Sequence, residues 1–178
     1  MMTKGSPIEI VITGAESTGK TTLAYLLGQY FDCPVVPEQL RLFVDHHGRL
    51  PQEEDVPGIV EDFLRAKRDA LKSSHRLTIF DTDLLSTLIY HQHYFGSVKA
   101  SLEALAHAET GDYYLLADDD FPWVPDSMQR ESAEIRSSLQ RRFRAELESR
   151  QLPHVTVSGS IEERLSTAAA WIDNRLVL

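Results

Sequence analysis

Cysteine, long apolar runs and basic residues are all scarce in this sequence of 178 residues. The single cysteine, Cys33, excludes an intramolecular disulfide and is typical of a reducing compartment. No apolar run approaches the length that crosses a membrane, and the residues before position 8 form a short polar lead-in rather than a signal peptide. We therefore expect a cytoplasmic protein with no membrane partner.

The shortage of basic residues restricts the binding partners further. There are 18 Lys and Arg against 27 Asp and Glu, which gives a net charge of −9. A general nucleic-acid surface needs clustered Lys and Arg, so we expect no nucleic-acid partner, whereas a local basic site for a small phosphate ligand is compatible. The seven histidines lack the companion ligands of a zinc site. Length and composition predict one globular domain over residues 1–178, and a homo-oligomer stays open.

One stretch carries a clear signature of function. Residues 14–21 fit the pattern G-x-x-x-x-G-K-[ST], with a β-branched apolar strand pattern before them and a helix pattern after them. Backbone N–H groups and the helix dipole then form an anion site, so a chance glycine-rich turn is the weaker interpretation. We predict that Lys20 reaches the β- and γ-phosphates of ATP and that Thr21 ligates Mg²⁺. The predicted nucleotide-binding residues here are Gly14, Glu16, Ser17, Thr18, Gly19, Lys20, Thr21 and Thr22.

Strand-like and helix-like patterns alternate along the whole chain. This alternation predicts a mostly parallel sheet flanked by helices, the three-layer P-loop nucleoside triphosphate hydrolase fold. The predicted strands are residues 9–13, 33–37, 76–80, 113–117 and 154–158. The predicted helices are residues 20–30, 38–46, 56–73, 84–94, 97–108, 133–150 and 161–174. Each predicted strand ends in a polar segment, and these segments should converge at one edge of the sheet.

Three acidic residues at those strand ends are candidates for the chemistry. Asp81 is predicted to orient Mg²⁺, although either Asp81 or Asp83 could instead cap the following helix. Glu38 suits orientation and deprotonation of an acceptor hydroxyl, with complementation of a helix dipole as the equal alternative. Asp83 could also bind a substrate hydroxyl, and Arg41, one turn after Glu38, joins the substrate site if Glu38 does.

A polar, proline-containing segment at about residues 118–132 is predicted to act as a lid that excludes water. Arg130 and Arg136 are candidates for stabilising charge in the transition state, because an Arg fork matches phosphate geometry. Trp123 could stack on a substrate ring or pack at the hinge of the lid. Arg164 could stack on the adenine, or it could be a helix-surface residue.

The ordered motifs together resemble a known family, the ribosylnicotinamide kinase domain of NadR-type proteins and its stand-alone AAA-like relatives. The matching residues are Gly14 to Leu23, Val36-Pro37-Glu38 with Arg41, Phe80-Asp81-Thr82-Asp83 with Thr87, and Leu116-x-Asp118-x-Asp120-x-Pro122-Trp123-Val124-x-Asp126. The P-loop alone is unspecific, but the later motifs in this order are considerably more specific. The resemblance covers nearly the whole chain.

The resemblance implies ATP- and Mg²⁺-dependent phosphorylation of the 5′-hydroxyl of nicotinamide riboside to nicotinamide mononucleotide. It places Glu38, Asp81 and Asp83 near the riboside and the metal, and it places Trp123 and Asp126 in a lid that contacts substrate. Arg130 departs from the family pattern, since three residues separate it from Asp126. Fused NadR proteins also carry an adenylyltransferase domain and sometimes a DNA-binding domain, and neither is expected within these 178 residues.

Two other functions are compatible with the motifs. The acceptor could be another nucleoside or a nucleotide, and the donor could be ATP or GTP. A different class is a P-loop ATPase or nucleotide switch that regulates a protein partner. The lid favours the kinase, because a switch needs no acceptor pocket.

Overall fold

The computed structural model describes residues 6–73, 76–121 and 132–176. Five parallel strands form one sheet in the order β2-β3-β1-β4-β5. The strands are β1 Ile8–Thr13, β2 Val35–Val36, β3 Leu77–Asp81, β4 Tyr113–Ala117 and β5 His154–Val157. The predicted parallel α/β sheet is therefore confirmed.

Helices connect consecutive strands, as parallel pairing requires. They are α1 Lys20–Phe31, α2 Gln39–His47, α3 Val56–Ser73, α4 Leu84–Phe95, α5 Ala100–Ala108, α6 Ala133–Ser149 and α7 Ile161–Leu176. A 3₁₀ turn, Glu53–Asp55, precedes α3 where the sequence predicted an acidic helix entry. The helix predicted over residues 97–108 begins three residues later, at Ala100.

The alternation of side chains along each strand divides the core into two layers of helices. On β1, Ile10 and Ile12 pack with α1 and α7, whereas Val11 packs with α3 to α6 on the opposite face. Ile10 and Ile12 are both 0% exposed, and burial of such a side chain stabilises the fold by roughly 1.5–3 kcal/mol. This hydrophobic packing holds β1 at the centre of the sheet.

The strand order reverses around β1, because β3 and β4 lie on its two sides. In an open α/β sheet such a reversal leaves a crevice beyond the carboxyl ends of the strands. The segment between β1 and α1 begins there. Among the described residues, no helix is long and apolar enough to cross a membrane.

Candidate functional site

The loop between β1 and α1 adopts a backbone conformation that depends on two glycines. Gly14 and Gly19 have φ values of +133° and +79°, and a Cβ atom on Gly14 would lie 2.7 Å from the carbonyl oxygen of Ala117. Side chains disfavour these backbone conformations, which explains the glycines of the motif. Ser17 between them also has a positive φ, 55°. The loop therefore has the tight geometry that the motif predicts.

A buried amide from α6 holds this loop against β4. Gln140 Oε1 accepts a hydrogen bond from the N–H of Ala15 at 2.9 Å, and Gln140 Nε2 donates to the carbonyl of Ala117 at 2.9 Å. Both bonds are buried, so each satisfies a backbone group that has no access to water. The sequence reasoning missed Gln140. The available signal was its spacing from Phe143 and Leu147, which places it on the buried stripe of α6.

Arg164 supports the same loop from α7, which corrects the interpretation as a helix-surface residue, while its contact with the adenine stays a prediction. Its side chain is 0% exposed, so it is not a solvated helix-surface residue. It donates to the carbonyls of Thr18 and Gly159 at 3.2 and 2.9 Å and pairs with Asp120. Its guanidinium lies 4.1 Å from the centroid of the Phe121 ring, so the stacking partner is internal.

Arg136 is also turned inward. It is buried and donates to the carbonyls of Phe121 at 3.0 Å and Ser17 at 3.3 Å. The geometry thus gives Arg136 a supporting contact with the loop, because two of its donors are taken by backbone oxygens. Its action on the transferred phosphoryl group stays a prediction. Arg130, Trp123 and Asp126 lie outside the described residues, so their predicted lid roles also stay predictions.

A polar cavity of about 260 Å³ opens over the loop. Residues 16–22 line it together with Glu38, Leu40, Arg41 and Tyr90. Lys20 lies in the cavity wall and donates to the carbonyl of Ala15 at 2.6 Å. Burial lowers the pKa of Lys20, while the nearby carboxylates of Glu38 and Asp81 oppose that shift. The cavity therefore combines a buried ammonium group with the uncapped N-terminus of α1, which suits a polyanion.

The predicted metal ligands meet at one edge of this cavity. Thr21 Oγ1 donates to Asp81 Oδ2 at 2.7 Å, and Asp81 Oδ1 is buried with no hydrogen-bond partner among the described residues. Burial raises the pKa of Asp81 in spite of the Thr21 contact. A carboxylate with an unpartnered oxygen beside a hydroxyl is a donor set that fits Mg²⁺. The residues present therefore fit the metal that the motif implies.

Thr82 separates the two carboxylates of the β3 end. Its φ is 69°, an uncommon conformation for a buried β-branched residue. Asp83 caps α4, as one of the two interpretations predicted: its Oδ1 accepts from the N–H groups of Leu85 and Ser86. Its Oδ2 accepts from the Tyr114 hydroxyl at 2.6 Å, and burial raises the pKa of Asp83.

A second cavity, of about 310 Å³, adjoins the first. Its walls are mainly apolar and include Leu50, Val56, Ile59, Phe63, Tyr94 and Phe95. Glu38, Leu40 and Tyr90 line both cavities. Burial raises the pKa of Glu38, Lys20 opposes that shift, and Arg41 Nε lies 3.9 Å from Glu38 Oε2. A carboxylate thus stands where the polar and the apolar cavity meet.

These features define a class of protein. A parallel sheet in this strand order, with a phosphate cradle between its central strand and α1, is a P-loop nucleotide-binding domain. Residues 9–164 match the family model described as AAA domain, and the chain belongs to that family. The resemblance to NadR-type proteins is confirmed by the relatives described next.

Two curated relatives are the trifunctional NAD biosynthesis/regulator proteins NadR of Salmonella typhimurium and Escherichia coli. Each is 27% identical over 124 residues, which cover 67% of this chain and 30% of the relative. The chain therefore matches less than a third of the length of these proteins.

The solved structures that are similar include NadR protein in complex with NAD and AMP-PNP, with a TM-score of 0.77 and 19% identity over 97% of this chain and 50% of that chain. NadR protein in complex with NR has a TM-score of 0.73 and 19% identity, and the match covers 88% of this chain and 47% of that chain. Thymidylate kinase from Ehrlichia chaffeensis has a TM-score of 0.65 and 16% identity, and the match covers 94% of this chain and 100% of that chain. At these identities the likeness establishes the fold, which is that of P-loop kinases.

Proposed function

We propose that this protein is a small-molecule kinase that transfers the γ-phosphate of ATP to a nucleoside hydroxyl. The observation that carries the proposal is the position of Glu38 in the common wall of a polar phosphate cavity and an apolar cavity. The apolar cavity, about 310 Å³, has the size and lining of a small-molecule site. A donor and an acceptor placed in the two cavities would meet at Glu38.

Charged side chains around the two cavities have distinct roles in the proposed reaction. Glu38 accepts the proton of the acceptor hydroxyl. As the oxygen of that hydroxyl forms a bond to the γ-phosphorus, the bond between the γ-phosphorus and the bridging oxygen breaks, and ADP leaves. A raised pKa makes Glu38 a better base for this proton. Lys20 and Arg41, which line the phosphate cavity, offset the charge on the transferred group. Asp83 remains a proposed ligand of the acceptor in the second cavity.

Thr21 and Asp81 are the residues that would hold Mg²⁺. The ion supplies positive charge beside the phosphate oxygens when it is bound. The Thr21 hydroxyl now donates to Asp81 and would turn its oxygen toward the metal, while Asp81 Oδ1 offers an acceptor that is unpartnered among the described residues. Positioning and electrostatics, rather than a covalent intermediate, account for the chemistry of such a site.

Nicotinamide riboside is the proposed acceptor, and nicotinamide mononucleotide is then the product. Support comes from the motif series, from the NadR relatives and from the likeness to NadR in complex with NR. Another nucleoside or a nucleotide is the alternative acceptor, since deoxyadenosine kinase from M. mycoides and thymidylate kinase have similar folds. An aromatic base would suit the apolar walls formed by Phe63, Tyr94 and Phe95.

The direct test is to incubate the purified protein with ATP, Mg²⁺ and a panel of nucleosides, and to measure acceptor-dependent ADP formation and the mass of the product. The panel contains nicotinamide riboside, adenosine, deoxyadenosine and thymidine. The change Glu38→Gln should lower kcat by about 100- to 10,000-fold, because it removes the base and keeps the shape. Exposed Glu162 on α7 provides the matched control, since Glu162→Gln leaves both cavities intact.

Two outcomes would contradict the proposal. If no nucleoside accepts phosphate, and ATP turnover appears only with an added protein partner, then the protein is a nucleotide switch. If nucleosides are phosphorylated at the wild-type rate by Glu38→Gln, then the base lies elsewhere.

A further inference from the structure

We propose that Glu16, positioned by Tyr90, binds a second hydroxyl of the acceptor, so that the enzyme selects a ribose rather than a deoxyribose. This inference rests on the proposed kinase function and goes further, because it names the residue that recognises the sugar of the substrate. It also moves Glu16 from the nucleotide site to the acceptor site. In this arrangement Glu38 accepts the proton of the hydroxyl that is phosphorylated, and Glu16 accepts a hydrogen bond from a hydroxyl of the sugar ring.

The contact between the two residues joins the phosphate loop to the acceptor cavity. The Tyr90 hydroxyl donates to Glu16 Oε2 at 3.0 Å. Glu16 lines the phosphate cavity, and Tyr90 lines both that cavity and the apolar one. The bond therefore draws the Glu16 carboxylate toward the boundary between the cavities, where Glu38 also lies.

Glu16 is poorly suited to bind a triphosphate directly. Phosphate oxygens accept hydrogen bonds, and an ionised carboxylate has only acceptors and a like charge. The other oxygen, Oε1, is buried with no hydrogen-bond partner among the described residues. The terminal torsion of a glutamate is broad, so rotation can present either oxygen to a ligand. A sugar hydroxyl supplies the donor that this carboxylate lacks.

Tyr90 is held so that its hydroxyl stays directed at Glu16. Its side chain is 8% exposed, and its ring stacks on Tyr94 at 6.1 Å and meets the edge of Phe143 at 5.8 Å. Burial, together with the charge of Glu16, raises the pKa of Tyr90 well above its ordinary value, so the phenol remains a hydrogen-bond donor. Tyr90 is thus a positioning residue, and Glu16 is the residue that touches the substrate.

The test combines removal of the side chain with removal of the hydroxyl. The probes are nicotinamide riboside and its 2′-deoxy and 3′-deoxy analogues, or the same three forms of the nucleoside that the panel identifies, each at saturating ATP. The wild type should lose about 10- to 100-fold in kcat/KM for one deoxy analogue, because a hydrogen bond to a charged group is lost. In Glu16→Ala that discrimination should fall below about 3-fold, since the partner is already absent.

The two KM values separate this role from a structural one. Glu16→Ala should raise the acceptor KM by about 10- to 100-fold and leave the KM of ATP within about 2-fold. Tyr90→Phe keeps the ring and should raise the acceptor KM by about 3- to 10-fold. Tyr25→Phe, which removes an exposed hydroxyl on α1, is the control. Thermal unfolding of each variant verifies that the fold is intact.

The outcomes distinguish this inference from the function on which it rests. A wild type that phosphorylates no nucleoside overturns both. An active wild type whose discrimination between ribose and deoxyribose persists unchanged in Glu16→Ala overturns the inference alone. If Glu16→Ala raises the KM of ATP and leaves the acceptor KM unchanged, then Glu16 belongs to the nucleotide site, and this result also overturns the inference.

Discussion

Replacement of Gln140 by Leu should destabilise the protein, because Gln140 makes both hydrogen bonds that hold the phosphate loop to β4. The change leaves the N–H of Ala15 and the carbonyl of Ala117 without these partners, and both residues are 0% exposed. Each buried unsatisfied group costs roughly 1–3 kcal/mol, and the added apolar surface of Leu offsets about 1 kcal/mol. We expect a net loss of about 3 kcal/mol, equivalent to a decrease in Tm of roughly 6–12 °C.

Equilibrium urea unfolding measures this loss, with Gln29→Leu as the control. Gln29 lies on α1 and is exposed, so its replacement should change the free energy of unfolding by less than about 0.5 kcal/mol. The variant Gln140→Glu adds a pH test. Its carboxylate keeps an acceptor for Ala15 but has no donor for Ala117, so its stability should recover as the pH falls and the carboxyl becomes protonated.

The reasoning fails if Gln140→Leu unfolds at the same urea concentration as the wild type. It also fails if Gln140→Glu shows the same pH dependence as the wild type. A loss of ATP affinity in Gln140→Leu, without any loss of stability, would assign the amide to ligand binding instead.

Two further predictions concern charges away from the site. Lys67→Met should lower the free energy of unfolding by roughly 3 kcal/mol, because it leaves two carboxylates without their cation. Lys67 Nζ lies 2.9 Å from Glu9 Oε2 and 3.1 Å from Glu109 Oε2. An unchanged midpoint of urea unfolding would contradict this prediction. A hydrogen bond from Arg49 lowers the pKa of Asp55 to about 2 from its ordinary 3.8, so this contact stabilises the fold above pH 3.8 and is lost as the pH falls through about 2. Wild type should therefore lose more stability than Asp55→Asn over that interval in urea titrations, and parallel curves would refute the assignment.

Local patterns were sufficient to predict the fold. The alternation of strand-like and helix-like patterns along the sequence indicated the positions of the five strands. The helix predicted over residues 56–73 has the same bounds in the structure. The P-loop motif placed Lys20 and Thr21, and the acidic end of β3 placed Asp81 beside Thr21. These predictions depend on residues adjacent in sequence or on the rule that parallel strands end at one edge.

Long-range partners could not be predicted in the same way. Arg164 is 146 residues from Thr18, and no local pattern shows that its guanidinium is buried behind the phosphate loop. Gln140 is 125 residues from Ala15, and a polar residue on a charged helix is ordinarily solvated. Tyr90 was similarly missed, because its hydroxyl finds Glu16 only after α4 packs against the site. Such contacts depend on how the helices are placed rather than on propensity.

The left-handed conformation of Thr82 has a consequence for sequence comparison. Asp81 and Asp83 are identical residues two positions apart, and on a regular strand they would point to the same face of the sheet. With Thr82 in this conformation, Asp81 contacts Thr21 of the phosphate loop, whereas Asp83 caps α4 and accepts a hydrogen bond from Tyr114. An alignment of relatives that slips by two positions here would still match an aspartate to an aspartate. It would nevertheless exchange a proposed metal ligand for a helix cap, so the residue between them, rather than the acids themselves, marks the correct register.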